Sequence, residues 1–246
     1  MFLWLIVGTF IGWLSEFTST RTGFPFAWSE YYPASFPNEL WIAGIPLFAS
    51  LSFAALSYFG HSAVYTLMSP LRKGPNGIER TENMQLLLSL KVALWAALLT
   101  TWTDFVVDPV AHLGEYWFLG KIYFWITTSA AWHFDIPLWN YFGWLLTIFT
   151  IVYANQRIDG FLIRRGYPHR SAFRLPHLPL WSIGYFIGDY LFILAVNIYL
   201  YYNPAVPPEK QIGLVLANTA VFVAAFILFT VLCIRYKLKS SASHTS

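Results

Sequence analysis

Charge is what this sequence has least of. Only 11% of its 246 residues are Asp, Glu, Lys or Arg, where soluble domains carry roughly a quarter. That shortage excludes an ordinary water-soluble surface. Cysteine is nearly missing too: Cys233 stands alone, so no disulfide can close within the chain, and it reads as a small apolar packing residue. There is no Gly-x-Gly-x-x-Gly, no P-loop and no Gly-x-Ser-x-Gly, the patterns that cradle phosphates or sharpen a serine nucleophile. Internal repeats and low-complexity linkers are absent as well. The net charge of +3 gives no case for nucleic acid, because the basic residues sit in loops between apolar runs.

What is present is grease. Apolar residues make up 57% of the chain and aromatics 20%. Six runs bounded by charge, Pro and Gly read as membrane spans: Phe2–Phe17, Leu40–Met68, Met84–Val107, Leu138–Ala154, Pro179–Tyr201 and Ile212–Ile234. A span needs roughly 20 residues, so the first must use Glu16 to Ser19. No basic residue precedes Phe2–Leu14 and no small-x-small site follows, so this run reads as a helix and not a cleaved leader. The second run carries Pro46 and is longer than needed, which predicts tilt or a kink. Tyr116–Ala131 is aromatic-rich, broken by Gly120 and Lys121, and reads as interfacial. The expected fold is an all-α, polytopic integral membrane helical bundle. It forms one domain over residues 1–236, with a polar, disordered tail over residues 237–246.

Orientation follows from Lys and Arg. Three lie in the loop from Arg72 to Arg80, five between Arg157 and Arg174, and three in the tail, while Arg21, Lys121 and Lys210 stand singly in the alternate loops. Eleven against three places both termini in the cytoplasm under the positive-inside rule.

Against this background Asp104 and Asp108 are the most informative residues. They lie four apart in an apolar run, a spacing that puts side chains on one helix face about 6 Å apart. Ionisable groups in a membrane-length segment are expensive and carry function by default. Counting from Met84, Asp104 lies about 30 Å along a helix, near the outer edge of the hydrocarbon. Glu16, Asp135 and Asn140 fall at the same depth. Two carboxylates this close cannot both ionise easily, so one keeps its proton beside an anion. That is equipment for general acid catalysis. Metal binding is the rival chemistry, but no His-x-x-x-His, Glu-x-x-His or Asp-x-x-Asp-Asp pattern accompanies the pair, so no metal is expected. Asp189, in mid-span, either lines the same cavity or pairs with a neighbouring Tyr or Trp. Lys91 reads as snorkelling. His61, His112 and His133 occur singly and read as structural. Trp102, Trp132, Tyr141 and Trp144 lie close enough in sequence to the acids to stabilise a cation.

Four blocks then resemble a known family, the membrane carotenoid hydratases that act as γ-carotene 1′,2′-hydratase and bisanhydrobacterioruberin hydratase. They are Glu16 to Phe26 followed by Tyr31-Tyr32, Gly44-Ile45-Pro46-Leu47, Thr101-Trp102-Thr103-Asp104 with Asp108-Pro109, and Ile136 to Trp144. The blocks occur in family order across Ser15 to Trp144. Ala27 and Asp135 stand where that family usually has Gly. The resemblance implies a cofactor-free hydro-lyase of carotenoid biosynthesis in a prokaryotic cell membrane. It adds water across the terminal double bond of an acyclic carotenoid, through a tertiary carbocation. Asp104 and Asp108 are then the acid and its water-orienting partner, with Glu16 in support. Trp102, Asn140, Tyr141, Trp144, Phe26 and Asp189 are the expected substrate-binding residues. Membrane lipid and other carotenoid-pathway enzymes are the expected partners. An end-group cyclase or isomerase would use the same acid but exclude water. A non-catalytic carotenoid or lipid carrier, a transporter and a pathway scaffold are the competing classes.

Overall fold

The computed structural model describes residues 2–126, 132–167 and 176–243. Its helices are α1 (Phe2–Thr22), α2 (Leu47–Met68), the single-turn α3 (Met84–Leu87), α4 (Leu90–Ala111), α5 (Leu138–Arg164), α6 (Trp181–Tyr202) and α7 (Ile212–Ser243). Eight short strands, β1 (Ser29–Tyr31), β2 (Trp41–Ile42), β3 (Ile45–Pro46), β4 (Leu71–Gly74), β5 (Gly77–Arg80), β6 (Tyr123–Trp125), β7 (Trp132–His133) and β8 (Ile136–Pro137), pair two by two in the connections. The molecule is an all-α bundle. Five helices, α1, α2, α4, α6 and α7, are long and apolar enough to cross a membrane; α5 is longer than most but more polar.

Helix α1 packs on α2 and α5; α4 packs on α2, α5 and α6; α6 packs on α7. The α1–α2 contact is close because Gly8 and Gly12 share a face. A Cβ on Gly8 would sit 2.7 Å from the Ala54 Cα, and one on Gly12 the same distance from the Phe53 Cβ. Small residues four apart let backbones approach where no water drives association. Polar side chains are tied across helices: Trp4 Nε1 donates to Ser57 Oγ at 3.0 Å, Asn197 to Thr219 at 2.8 Å, and Thr103 and Tyr190 share a bond at 2.9 Å. Each spares a hydroxyl or amide an unsatisfied place in hydrocarbon.

Several expected boundaries change, each for a local reason. The run from Leu40 enters the helix only at Leu47: Trp41–Ile42 pairs with Ile45–Pro46 as a hairpin, and Pro46 is the N-cap of α2, outside its helical turns. The run from Met84 breaks after Leu87, where Ser89 caps α4 by accepting from the Val92 N–H at 3.3 Å. The carbonyls freed there are taken by His61 Nε2 at 3.2 Å and Gln156 Nε2 at 2.8 Å on Leu87. The run expected to end at Val107 goes on: α4 continues to Ala111 with Pro109 inside it. So near the terminus, the ring forfeits only a single backbone bond. Helix α5 runs ten residues past Ala154, because Asn155 and Gln156 are buried inside the bundle with their amide nitrogens bonded to backbone carbonyls. Lys237 to Ser243, expected as part of a disordered tail, continue α7. Extending an established helix adds one bond per residue without a new nucleus, and no Gly or Pro stops it. Residues 244–246, Arg170 and Arg174 lie outside the described residues. Of the interfacial segment, Tyr116 to Ile126 forms a helical turn and strand β6 and no spanning helix; residues 127–131 are outside.

Candidate active site

The carboxylates meet at one end of the bundle, where α1 and α4 finish and α5 begins. Asp104 and Asp108 lie one turn apart on the same face of α4 and are 6% and 9% exposed. They point at α5, and Asn140, 3% exposed, meets them both. Its Nδ2 donates to Asp104 Oδ2 at 3.1 Å and to Asp108 Oδ2 at 2.8 Å. One NH₂ group has two hydrogens, and both are used on the acids. Asp108 is also reached from the other side: Tyr123 Oη donates to its Oδ1 at 2.7 Å. Both oxygens of Asp108 are therefore bonded. Asp104 Oδ1 accepts no hydrogen bond among the described residues. The two acids differ in a way their sequence positions do not show.

Glu16, in the last two turns of α1, joins the cluster. It lies close enough to Asp108 for their charges to interact, and the Tyr31 hydroxyl hydrogen-bonds its carboxylate. The two tyrosines arrive together because β1 and β6 are antiparallel with Tyr31 opposite Tyr123. Their rings meet edge to face, centroids 6.4 Å apart. Burial, reinforced by Glu16 for Tyr31 and by Asp108 for Tyr123, holds both phenols well above their ordinary range. Both stay protonated and donate.

A pinned loop sets this strand pair. Ser19 Oγ accepts from the Phe26 N–H at 3.1 Å and donates to the Ala27 carbonyl at 2.8 Å. Gly143 lies beneath the loop, since a Cβ there would fall 2.5 Å from a Phe26 ring carbon and 2.6 Å from the Pro25 oxygen. Ala27 has φ +87° and Asp135 φ +67°. These are the two positions where the resembled family usually carries Gly. The left-handed backbone explains that usage, since only Gly enters it without steric cost.

The other expected site residues divide. Tyr141 is buried, lies near both Asp side chains, meets the Phe105 ring at a tilt with centroids 4.9 Å apart and shares a 2.9 Å bond with His133 Nδ1. Trp144 and Phe26 belong to the packed core: both lie against Phe53, Trp144 with centroids 4.4 Å apart and Phe26 at 5.6 Å. Trp102 points elsewhere. It is 50% exposed and its ring meets Phe222 of α7 at 4.4 Å, because two residues along a helix turn a side chain some 200°. Asp189 also stands apart, half-buried beside Tyr185 and Tyr190, with no interaction with Asp104, Asp108 or Glu16. His61 and His133 are hydrogen-bonded as structural histidines; His112 Nδ1 is buried without a partner among the described residues. Among the described residues no three His, Cys, Asp or Glu side chains form a metal-holding group. Reading the sequence missed Tyr123 entirely and noted Tyr31 only inside a motif. Their signal was a phenol on a short aromatic strand, which becomes meaningful only once the strands pair.

A family model described as carotenoid biosynthesis protein matches residues 1–207. No curated protein and no solved structure matches the chain.

Proposed function

Because this chain belongs to the carotenoid biosynthesis protein family, we propose that it hydrates the terminal 1′,2′ double bond of an acyclic carotenoid by acid catalysis. The observation that carries this reading is the asymmetric carboxyl pair: two buried acids bridged by one amide, one bonded through both oxygens and the other through one only among the described residues. Low dielectric and short separation favour a single negative charge on such a pair. Tyr123 and Asn140 both donate to Asp108, so the charge rests there and the proton rests on Asp104.

The chemistry then assigns itself. Asp104 gives its proton to the less substituted alkene carbon, leaving a tertiary cation at C1′. The Asp108 carboxylate and the ring faces of Tyr141 and Phe105 stabilise that charge. Water bonds to C1′ and loses a proton to Asp108. The pair holds one proton before and after, and its return from Asp108 to Asp104 resets the site. No redox step is required. The lipid-soluble substrate fits a chain whose helices are apolar enough to cross a membrane. With α5 crossing as a sixth span beside the five apolar helices, positive-inside counting supports a multi-pass protein with both termini cytoplasmic. The product is a tertiary alcohol, and other enzymes that process the same linear carotenoid are the natural partners.

The test is expression in cells supplying the linear carotenoid, with pigments identified by mass. The chain adds the mass of one water; Asp104→Asn in equal membrane amount adds none. A product of unchanged mass and altered absorption would mark a cyclase or isomerase. Full hydration by Asp104→Asn would refute the assignment.

A further inference from the structure

Hydration brings together reactants of opposite character. The alkene arrives from lipid, but water needs its own path to a buried acid. At the carboxylate end of the bundle lies a cavity of about 400 Å³, lined by the charged Glu115, Lys121, Asp135 and Lys210, by His112, and by aromatic rings that include Trp125. At about 30 Å³ per water it has room for on the order of ten. Lys210 Nζ and Asp135 Oδ2, 2.9 Å apart, tie the α6–α7 connection to the β7–β8 turn at its edge, where Asp135 is open to solvent.

Two lining residues face the catalytic cluster through one side chain. The His112 ring lies 6.0 Å from the Tyr123 ring, and the Trp125 ring 5.2 Å from it. The hydroxyl of that tyrosine is 2.7 Å from Asp108 Oδ1. A single phenol therefore separates the cavity from the acid that must receive water's proton. Burial, with Lys210 nearby, lowers the His112 pKa, so its imidazole is neutral. Its buried Nδ1 has no partner among the described residues. The largely apolar groove bordered by Leu98, Trp102 and Phe229, with Lys91 its one charged lining residue, lies on the side of α4 away from Asp104.

We propose that this charge-lined cavity is the water port of the enzyme: water passes from it by His112 and Tyr123 to Asp108. The proposal rests on the hydration reading. In the step it serves, the water oxygen bonds to C1′, one water O–H breaks, and that proton goes to Asp108. His112 acts here as a positioning residue.

The test separates cation formation from water capture. With membranes in D₂O, Asp104 delivers deuterium to carbon; a cation that meets no water loses H⁺ and returns as alkene carrying deuterium. The readout is the ratio of alcohol to recovered deuterated alkene. His112→Phe keeps the ring against Tyr123 but removes its nitrogens, and Lys121→Trp fills the cavity. Each is expected to lower the ratio roughly tenfold, the scale of losing a positioned water's hydrogen bonds, and His112→Asn to restore most of it. Ratios within about twofold of the unmodified chain in both variants would overturn the port; if His112→Phe fails to reach the membrane, Lys121→Trp decides alone. Alcohol from the unmodified chain with unchanged variant ratios removes the port and leaves the hydratase. No alcohol from the unmodified chain removes both.

Discussion

Replacing Asn140 by leucine removes the amide that joins the two acids while keeping the side chain's size. The amide makes two bonds, 3.1 Å to Asp104 and 2.8 Å to Asp108, in a place only 3% exposed. A hydrogen bond to a charged group contributes about 1.5–3 kcal/mol. The pair carries one charge, so only the bond to the anion counts in full, and the loss is about 2–3 kcal/mol of the arrangement that catalysis needs. That corresponds to roughly 30- to 150-fold in rate. Asn140→Leu should therefore accumulate in the membrane, bind carotenoid, and hydrate it slowly. The assay is initial conversion in membranes loaded with linear carotenoid, normalised to protein, with alcohol identified by mass. Asn140→Gln, whose amide sits one methylene further out, should recover only part of the rate. Folded Asn140→Leu with conversion within about threefold of the unmodified chain would refute the view that this bridge sets the acid pair.

Other outcomes follow from the same geometry. Tyr123→Phe keeps the contact with Tyr31 but loses the 2.7 Å donor to Asp108, and should slow conversion roughly 10- to 150-fold, for a bond to a charged group of about 1.5–3 kcal/mol. Trp102→Ala should leave conversion within about twofold, because surface changes away from a site cost little and this ring faces Phe222. Ala27→Gly should raise the detergent melting temperature, relieving φ +87° for a gain of about 0.5–1 kcal/mol after the entropy cost. Burial brings His133 from 6.5 to about 4, so the folded ring stays neutral where the unfolded one takes a proton. Stability should fall as pH drops from 6.5 towards 4, and His133→Phe should flatten that part of the melting profile.

Much of this was legible in the sequence because hydropathy and helical spacing are local. The helices were found, and the four-residue step from Asp104 to Asp108 placed both on one face. Counting along spans brought Glu16 and Asn140 to the same depth. Trp102 failed because nearness in sequence was taken for nearness in space, although two helical steps reverse direction. Asn155 and Gln156 lie past the expected end of the span at Ala154, yet α5 runs on through them: Gln156 serves carbonyls at the α3–α4 break, and Asn155 bonds the Ile151 carbonyl of its own helix. Tyr31 and Tyr123 were hidden for another reason. Their partnership spans two strands of three residues each, too short for alternation to be read and too far apart for any local pattern.

The central claim is that a carboxylic acid in this cluster protonates carbon. The direct measurement is the position of deuterium in alcohol formed in D₂O. One deuterium on the carbon beside the tertiary alcohol, lost in Asp104→Asn membranes, is the predicted result. Alcohol without carbon-bound deuterium, or with undiminished deuterium from Asp104→Asn, would contradict it.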